Sequence, residues 1–253
     1  MHRRNFIRGA VTGAVVTTAT LGAGTALAER LKDPDEQGRL SFAEQGEDLV
    51  LFHVVRDLLK VPLERVTYVD VGAAYPVKGN NTYLLYSLGG HGVLVEPNPW
   101  FAKQLRARRP RDQVVEAGVG PSEALAADYF VIKGNALLNT FSPAQVEALE
   151  RTAGGDVVER VLKMPLVTLT RLITERLGAA PDLLSTDVEG LDFDILRTLD
   201  LERLRPGAIC AESEWKTPDG ANAPITEYLV SKGYVPRGGS LVNTIYVDGT
   251  RRP

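Results

Sequence analysis

The sequence predicts a single doubly wound α/β domain, a mostly parallel sheet with helices packed on both faces. Two observations lead there. Short β-branched runs alternate with amphipathic stretches of helical period from about residue 41 to 247. Those runs are continuously apolar, as expected of strands buried on both faces, and their order, strand then helix repeated, is that of a parallel sheet.

The elements follow in chain order. Ser41–Leu59 places Leu49, Leu51, Val54, Val55, Leu58 and Leu59 on one helical stripe. Val66–Val71 is a buried strand stopped by Gly72, and Asn80–Leu88 is a helix ended by Gly89-Gly90. Gly92–Glu96 is a second strand halted by Pro97, Trp100–Arg109 a helix, and Gln113–Val119 a third strand. The less regular middle holds a strand at Asp128–Lys133, a helix opened by Ser142-Pro143, and a strand within Val157–Val167. Then come a helix at Thr168–Leu177, a strand at Pro181–Asp187, a helix at Leu191–Leu199, a strand at Gly207–Glu212, a helix at Ala223–Lys232 and a hairpin at Tyr234–Val247. There is no internal repeat, and residues 41–253 are expected to form one domain.

The chain opens differently. Arg3-Arg4, followed by Phe6, Ile7 and Arg8, has the pattern of a twin-arginine export signal. A weakly apolar stretch then ends in Ala26-Leu27-Ala28, a site suited to signal peptidase. Residues 1–28 are therefore expected to be removed, with 29–40 as a polar linker and the mature protein exported; a cytoplasmic location is the alternative. Leu, Ile and Phe are too scarce here for a membrane anchor, which wants about 20 strongly apolar residues.

Composition excludes several functions. Of 253 residues, 44% are apolar and 24% charged, with a formal net charge of −3, so no nucleic-acid partner is expected. Cys210 is the single cysteine, and His2, His53 and His91 show no zinc-ligand spacing. No G-x-S-x-G nucleophile elbow is present. The basic run Arg106, Arg108, Arg109 and Arg111 reads as a solvated helix end, and Trp100 and Trp215 as packing residues.

In a parallel sheet, ligands bind beyond the carboxyl ends of the strands. The first strand ends in Asp70-Val-Gly72-Ala-Ala, the second in Glu96-Pro-Asn-Pro99, and the strand after the middle segment in Asp187-Val-Glu189-Gly190. A carboxylate at the second position can accept hydrogen bonds from the vicinal hydroxyls of a ribose. The first loop lacks the further glycines of a dinucleotide-phosphate cradle, and Pro76 interrupts it, so an NAD-dependent oxidoreductase is disfavoured. S-adenosylmethionine carries no phosphate, and its cationic groups suit Asp70 and Asp187. The paired acids could instead hold Mg²⁺.

Six blocks now stand in order: Ser41-Phe-Ala-Glu-Gln-Gly-Glu-Asp48, Tyr68-Val-Asp-Val-Gly-Ala73, Asn81-Thr82, Val95-Glu-Pro-Asn-Pro99, Leu138-Asn-Thr-Phe-Ser142 and Leu184-Ser-Thr-Asp-Val-Glu-Gly190. In these the chain resembles the FkbM family of S-adenosylmethionine-dependent methyltransferases over about residues 41–247. The resemblance implies a Rossmann-like class I methyltransferase fold, a mostly parallel seven-stranded sheet with its last strand antiparallel. It also implies O-methylation of a hydroxyl on a sugar or secondary metabolite. It would place Asp70, Gly72 and Ala73 along the methionine part of the donor, Glu96 at the ribose, Asn98 and Gly118 about the adenine, and Asp187 near the sulfonium. Gln45, Glu47 and Asp48 would reach over the site. Asp187 or Glu189, with Glu47 behind them, are the expected general bases. This sequence departs from the family pattern in its export signal, in Thr186, and in Pro76-Val-Lys78. An exported, non-catalytic binding protein on the same scaffold is the competing expectation.

Overall fold

The computed structural model describes residues 39–122, 124, 126–188, 190–212 and 223–251. A boundary between compact units falls between Leu40 and Ser41, and the unit from Ser41 onward carries the sheet. The expected signal (1–28), most of the expected linker, Glu189 and Trp215 lie outside the described residues.

The helices are α1 (Glu47–His53, continued by a π-helical turn Val54–Leu58), α2 (Tyr83–Ser87), α3 (Pro99–Arg108), α4 (Pro143–Ala153), α5 (Leu169–Arg176), α6 (Asp192–Leu196) and α7 (Ala223–Ser231). The strands are β1 (Thr67–Val71), β2 (His91–Val95), β3 (Gln113–Val115), β4 (Gly118–Val119), β5 (Ala127–Ile132), β6 (Val158–Met164), β7 (Leu166–Val167), β8 (Leu183–Thr186), β9 (Ala208–Glu212), β10 (Tyr234–Gly239) and β11 (Asn243–Asp248). Seven of them form one sheet in the order β10-β11-β9-β8-β1-β2-β3. β3, β2, β1, β8 and β9 run parallel, and the last strand, β11, lies antiparallel between β9 and β10. This is the Rossmann-like class I methyltransferase arrangement that the sequence predicts.

The period of two along each strand divides the core. Val69, Val71, Val93, Val95, Leu184 and Ile209 face α5, α6 and α7. Tyr68, Leu94, Leu183, Ala208, Cys210 and Ile245 face α1, α2 and α3 on the other side. Each fully buried Leu, Ile or Val contributes roughly 1.5–3 kcal/mol, and with no polar face on the central strands the runs in sequence are continuously apolar.

The structure redraws four predicted elements. The first helix begins only at Glu47, because Gly46 takes a left-handed conformation (φ 91°) ahead of it. The predicted strand Gln113–Val119 splits: β3 ends the main sheet, and β4 leaves it to pair with β7. Gly118 allows the departure, since a Cβ there would lie 2.4 Å from the Phe141 ring. The two predicted middle strands do not join the main sheet. β5 and β6 form a separate antiparallel pair that packs Tyr129, Val131 and Met164 against Phe141.

The basic run is also corrected. Arg109 is not solvated but fully buried. It donates from Nε to Asp112 (2.7 Å), and from its Nη atoms to Asn80 Oδ1 (2.8 Å), the Tyr68 hydroxyl (2.9 Å) and Thr82 Oγ1 (3.0 Å). Arg111 instead stacks on the Tyr86 ring at 3.9 Å and bonds the Tyr86 carbonyl, while Arg106 pairs with Glu116 at an exposed edge. The planar fork of a guanidinium can satisfy four neighbours at once where a lysine could not. Removing one partner of such a buried charge cluster costs about 3–5 kcal/mol. Arg109→Met should therefore lose about that much in urea unfolding; a loss under about 1 kcal/mol would mean the network carries no load.

Candidate active site

The strand ends line up in the order that the sheet dictates. Asp187 follows β8, Gly72 follows β1, Glu96 follows β2 and Gly118 stands just past β3, each neighbour about 4.8 Å from the next by strand spacing. A cavity of about 670 Å³ opens above this row. Gly72, Glu96, Gly118 and Asp187 line it together.

Gly72 is fixed in this position by sterics. Its φ is +83°, and a Cβ would sit 1.9 Å from the Asp187 carbonyl oxygen. The bare backbone lets the ends of β1 and β8 close against each other, and the Asp187 N–H donates to Val71 O across the gap (3.0 Å).

Glu96 is 4% exposed, and both its oxygens are held. Oε2 accepts the Ala74 N–H (2.9 Å) and Oε1 the Asn98 N–H (2.7 Å). Each oxygen keeps a further acceptor position. Burial pushes its pKa up to about 7, with the two backbone bonds acting against that rise and nearby Asp70 adding to it. Ala74 adopts φ 45°, unusual for a residue with a Cβ, at the point where its N–H reaches Glu96.

Six of the residues expected at the site are employed elsewhere. Asp70 shares the strand face of Tyr68, so it points beneath the loop rather than into the cavity. There it accepts from Thr82 Oγ1 (2.7 Å) and Asn80 Nδ2 (3.3 Å), and burial raises its pKa against the opposing pull of Arg109. Ala73 is buried in the core below the loop. Asn98 caps α3 by accepting the Trp100 N–H (3.0 Å), and it reaches Glu96 only through its own backbone. Gln45 and Glu47 do not cover the site. Gln45 Oε1 accepts the Leu241 N–H (2.9 Å), and Glu47 Oε1 accepts from Ser240 (2.6 Å) and Asn243 (3.0 Å). Burial raises the Glu47 pKa, but those bonds outweigh it and hold the pKa below the usual value. Asp48 is likewise turned back, to Ser41 Oγ and the Phe42 N–H, both at 2.6 Å. Of the three expected bases only Asp187 lines the cavity; Glu189 lies outside the described residues.

Behind Asp187, Asp192 is 3% exposed, and burial with the charge of Asp187 pushes its pKa up to about 7. Asp192 was invisible in sequence as anything but a first-turn acid. The far wall was missed too: Tyr129, Leu137, Asn139, Thr140 and Phe141 come from β5 and the segment after it. Its one sequence signal was the Leu138–Ser142 block. Among the described residues no group of three or more His, Cys, Asp or Glu is gathered for a metal, and no helix is long and apolar enough to cross a membrane.

Sheet order and cavity together define a nucleoside-cofactor enzyme of the class I methyltransferase type. A family model for the methyltransferase FkbM domain matches residues 70–236, and the chain belongs to this family, whose methyl donor is S-adenosylmethionine. No curated protein matches the sequence. Among solved structures it is similar to an O-methyltransferase from Bacillus cereus in complex with SAH, at 13% identity over 94% of this chain and 92% of that one (TM-score 0.37). It is also similar to a precorrin-6y C5,15-methyltransferase from Geobacter metallireducens, at 15% identity over 85% and 95% (TM-score 0.41). Gly72→Ala should add at least about 1–2 kcal/mol of left-handed strain to the clash with Asp187. Thermal melting should show it, and an unchanged melting temperature would mean that the β1–β8 closure is not tight.

Proposed function

We propose that this protein transfers a methyl group from S-adenosylmethionine to a hydroxyl oxygen of a sugar or secondary metabolite. The observation that carries the reading is Glu96, held by two backbone N–H groups at the end of β2 with its remaining acceptor positions free for vicinal hydroxyls. The residues present fit the donor. Glu96 would take the ribose, Gly118 with Phe141 packed against it would border the base, and Gly72 and Asp187 would border the sulfonium end. The cavity, at about 670 Å³, lies in the range of small-molecule sites and leaves space beside a donor for an acceptor.

When bound, the donor supplies a methyl carbon activated by its positive sulfur. The protein's part is placement and proton handling. Holding the acceptor hydroxyl in line with that carbon provides most of the acceleration. Asp187 is the described lining acid nearest the β8 end and can accept the hydroxyl proton or orient the hydroxyl. Asp192 behind it, its pKa raised by burial and by the charge of Asp187, disfavours a second negative charge there. The wall of Tyr129, Asn139, Thr140 and Phe141 is the surface against which the acceptor is proposed to rest.

The N-terminal twin-arginine pattern supports export of the protein. Arg3→Lys with Arg4→Lys should hold the precursor in the cytoplasm at full length on immunoblots of cell fractions; unchanged export would remove that part of the proposal.

Calorimetric titration of the protein with S-adenosylmethionine, S-adenosylhomocysteine and NAD tests the cofactor. Both sulfur nucleosides should bind and NAD should not, and Glu96→Ala should weaken donor binding by about 1–3 kcal/mol, the loss of charge-assisted bonds. The ionised carboxylate is the better acceptor, so donor affinity should rise with pH through about 7, where Glu96 releases its proton. A flat pH profile with full affinity in the alanine variant would remove the ribose assignment.

A further inference from the structure

We propose that Lys78 and Glu44 clamp the zwitterionic amino-acid end of the methyl donor, Lys78 taking the carboxylate and Glu44 the ammonium. This rests on the donor reading above and goes further, to residues that neither the rim pattern nor the family blocks single out as ligands.

The first observation is where the loop's own donors go. A carboxylate lying along the first loop would ordinarily be met by its backbone N–H groups. Here the N–H groups of Gly72 and Ala73 both donate to Val95 O (2.9 and 3.2 Å), and that of Ala74 donates to Glu96. Pro76 has none, and those of Gly79 and Asn80 donate to Phe42 O (2.6 and 3.2 Å). Five of the loop's N–H groups are thus spent internally and Pro76 has none, which leaves only those of Tyr75, Val77 and Lys78.

The second observation is charge. The described residues lining the cavity include three acids, Glu44, Glu96 and Asp187, and one cation, Lys78. An anionic group entering this acidic space has Lys78 as its only charged partner among them. The side chains of Lys78 and Glu44 are exposed at the cavity mouth and form no ion pair or hydrogen bond with a described residue.

The third observation is placement. The strand order makes the rim a ruler: a ligand with its ribose on Glu96 and its base by Gly118 directs its other end past Gly72 toward Asp187, one to two strand spacings or about 5–10 Å away. Lys78 stands on the loop that rises from β1. The Gly79 and Asn80 bonds to Phe42 O fasten that loop to the segment bearing Ala43 and Glu44. A positive and a negative side chain therefore sit on two joined segments, as the two ends of an α-amino acid require. Pro76-Val-Lys78, where the sequence departs from the family pattern, acquires a role: Pro76 gives up one backbone donor and Lys78 adds a side-chain cation.

The test compares two nucleoside thioethers by calorimetry, S-adenosylhomocysteine and 5′-methylthioadenosine, which lacks the amino-acid portion. Lys78→Met should weaken S-adenosylhomocysteine about tenfold, the size of one charge-assisted hydrogen bond at a partly solvated site, and leave 5′-methylthioadenosine unchanged. Glu44→Gln should show the same selectivity with a smaller loss, and Lys78→Arg should retain most of the affinity. Melting temperatures matched to wild type confirm that the variants fold. Equal weakening of both ligands would make Lys78 a structural residue and overturn the clamp. Unchanged S-adenosylhomocysteine binding would overturn it as well, and with a raised acceptor KM would assign Lys78 to an anionic acceptor. If the wild-type protein binds neither thioether, the donor reading itself fails; if it binds both and Lys78→Met does not discriminate, only the clamp fails.

Discussion

The geometry of the cofactor rim depends on one buried cation. Arg109 leaves the end of α3 and reaches under the first loop, where it joins Tyr68 of β1, Asn80 and Thr82 before α2, and Asp112. Asp112 in turn accepts the Gly92 N–H that opens β2 (2.8 Å), and Asn80 passes the constraint to the Ala73 carbonyl (3.0 Å). With Asp70 and Asp112 nearby, the guanidinium keeps its charge although burial opposes it. The loop that presents Gly72 and Ala74 is thus fixed from below by a polar network, and in a low-dielectric interior such a network holds its geometry only when every member is satisfied. The ligand-facing side is then free to be shaped by very little: a missing Cβ and two N–H groups on Glu96.

Much of this was legible in the residues. Continuous apolar runs marked the central strands because both sheet faces are covered; the positions just beyond those runs marked Gly72, Glu96 and Asp187, the family resemblance added Gly118, and these four meet in one cavity. What failed has a common cause. Asp70 was read as a ligand because it stands at a strand end, but its place in the period of two turns it to the α1–α3 face, and only the sheet register shows that. Gln45 and Glu47 stand beside Glu44 of the cavity lining, but their side chains turn away to Leu241, Ser240 and Asn243. Arg109 looked like one of several surface arginines, since the four carboxyl, amide and hydroxyl partners that bury it are spread from residue 68 to residue 112. The β4 departure hinges on the packing of Gly118 against Phe141 and Leu166, contacts between segments far apart in the chain.

Two halves of the cavity answer to different parts of the chain. The donor half is built from the ends of β1, β2 and β8, elements that the core cannot shift without losing its packing. The opposite wall comes from the β5–β6 pair and the turn after β5, which has its own small cluster of Tyr129, Val131 and Met164. On the proposed reading, substitutions in that insert would alter what is methylated and leave the donor rim in place, as befits a scaffold whose function lies in its sites.

The clasp between Glu47 and the β10–β11 turn spans 193 and 196 residues of chain, at Ser240 and Asn243. Its partners are made at opposite times during synthesis. Until Ser240 and Asn243 have been made, Glu47 at the start of α1 lacks both of these side-chain donors, and the slot between β9 and β10 stands empty. The domain is therefore obliged to close late, in one long-range step rather than progressively from its amino end.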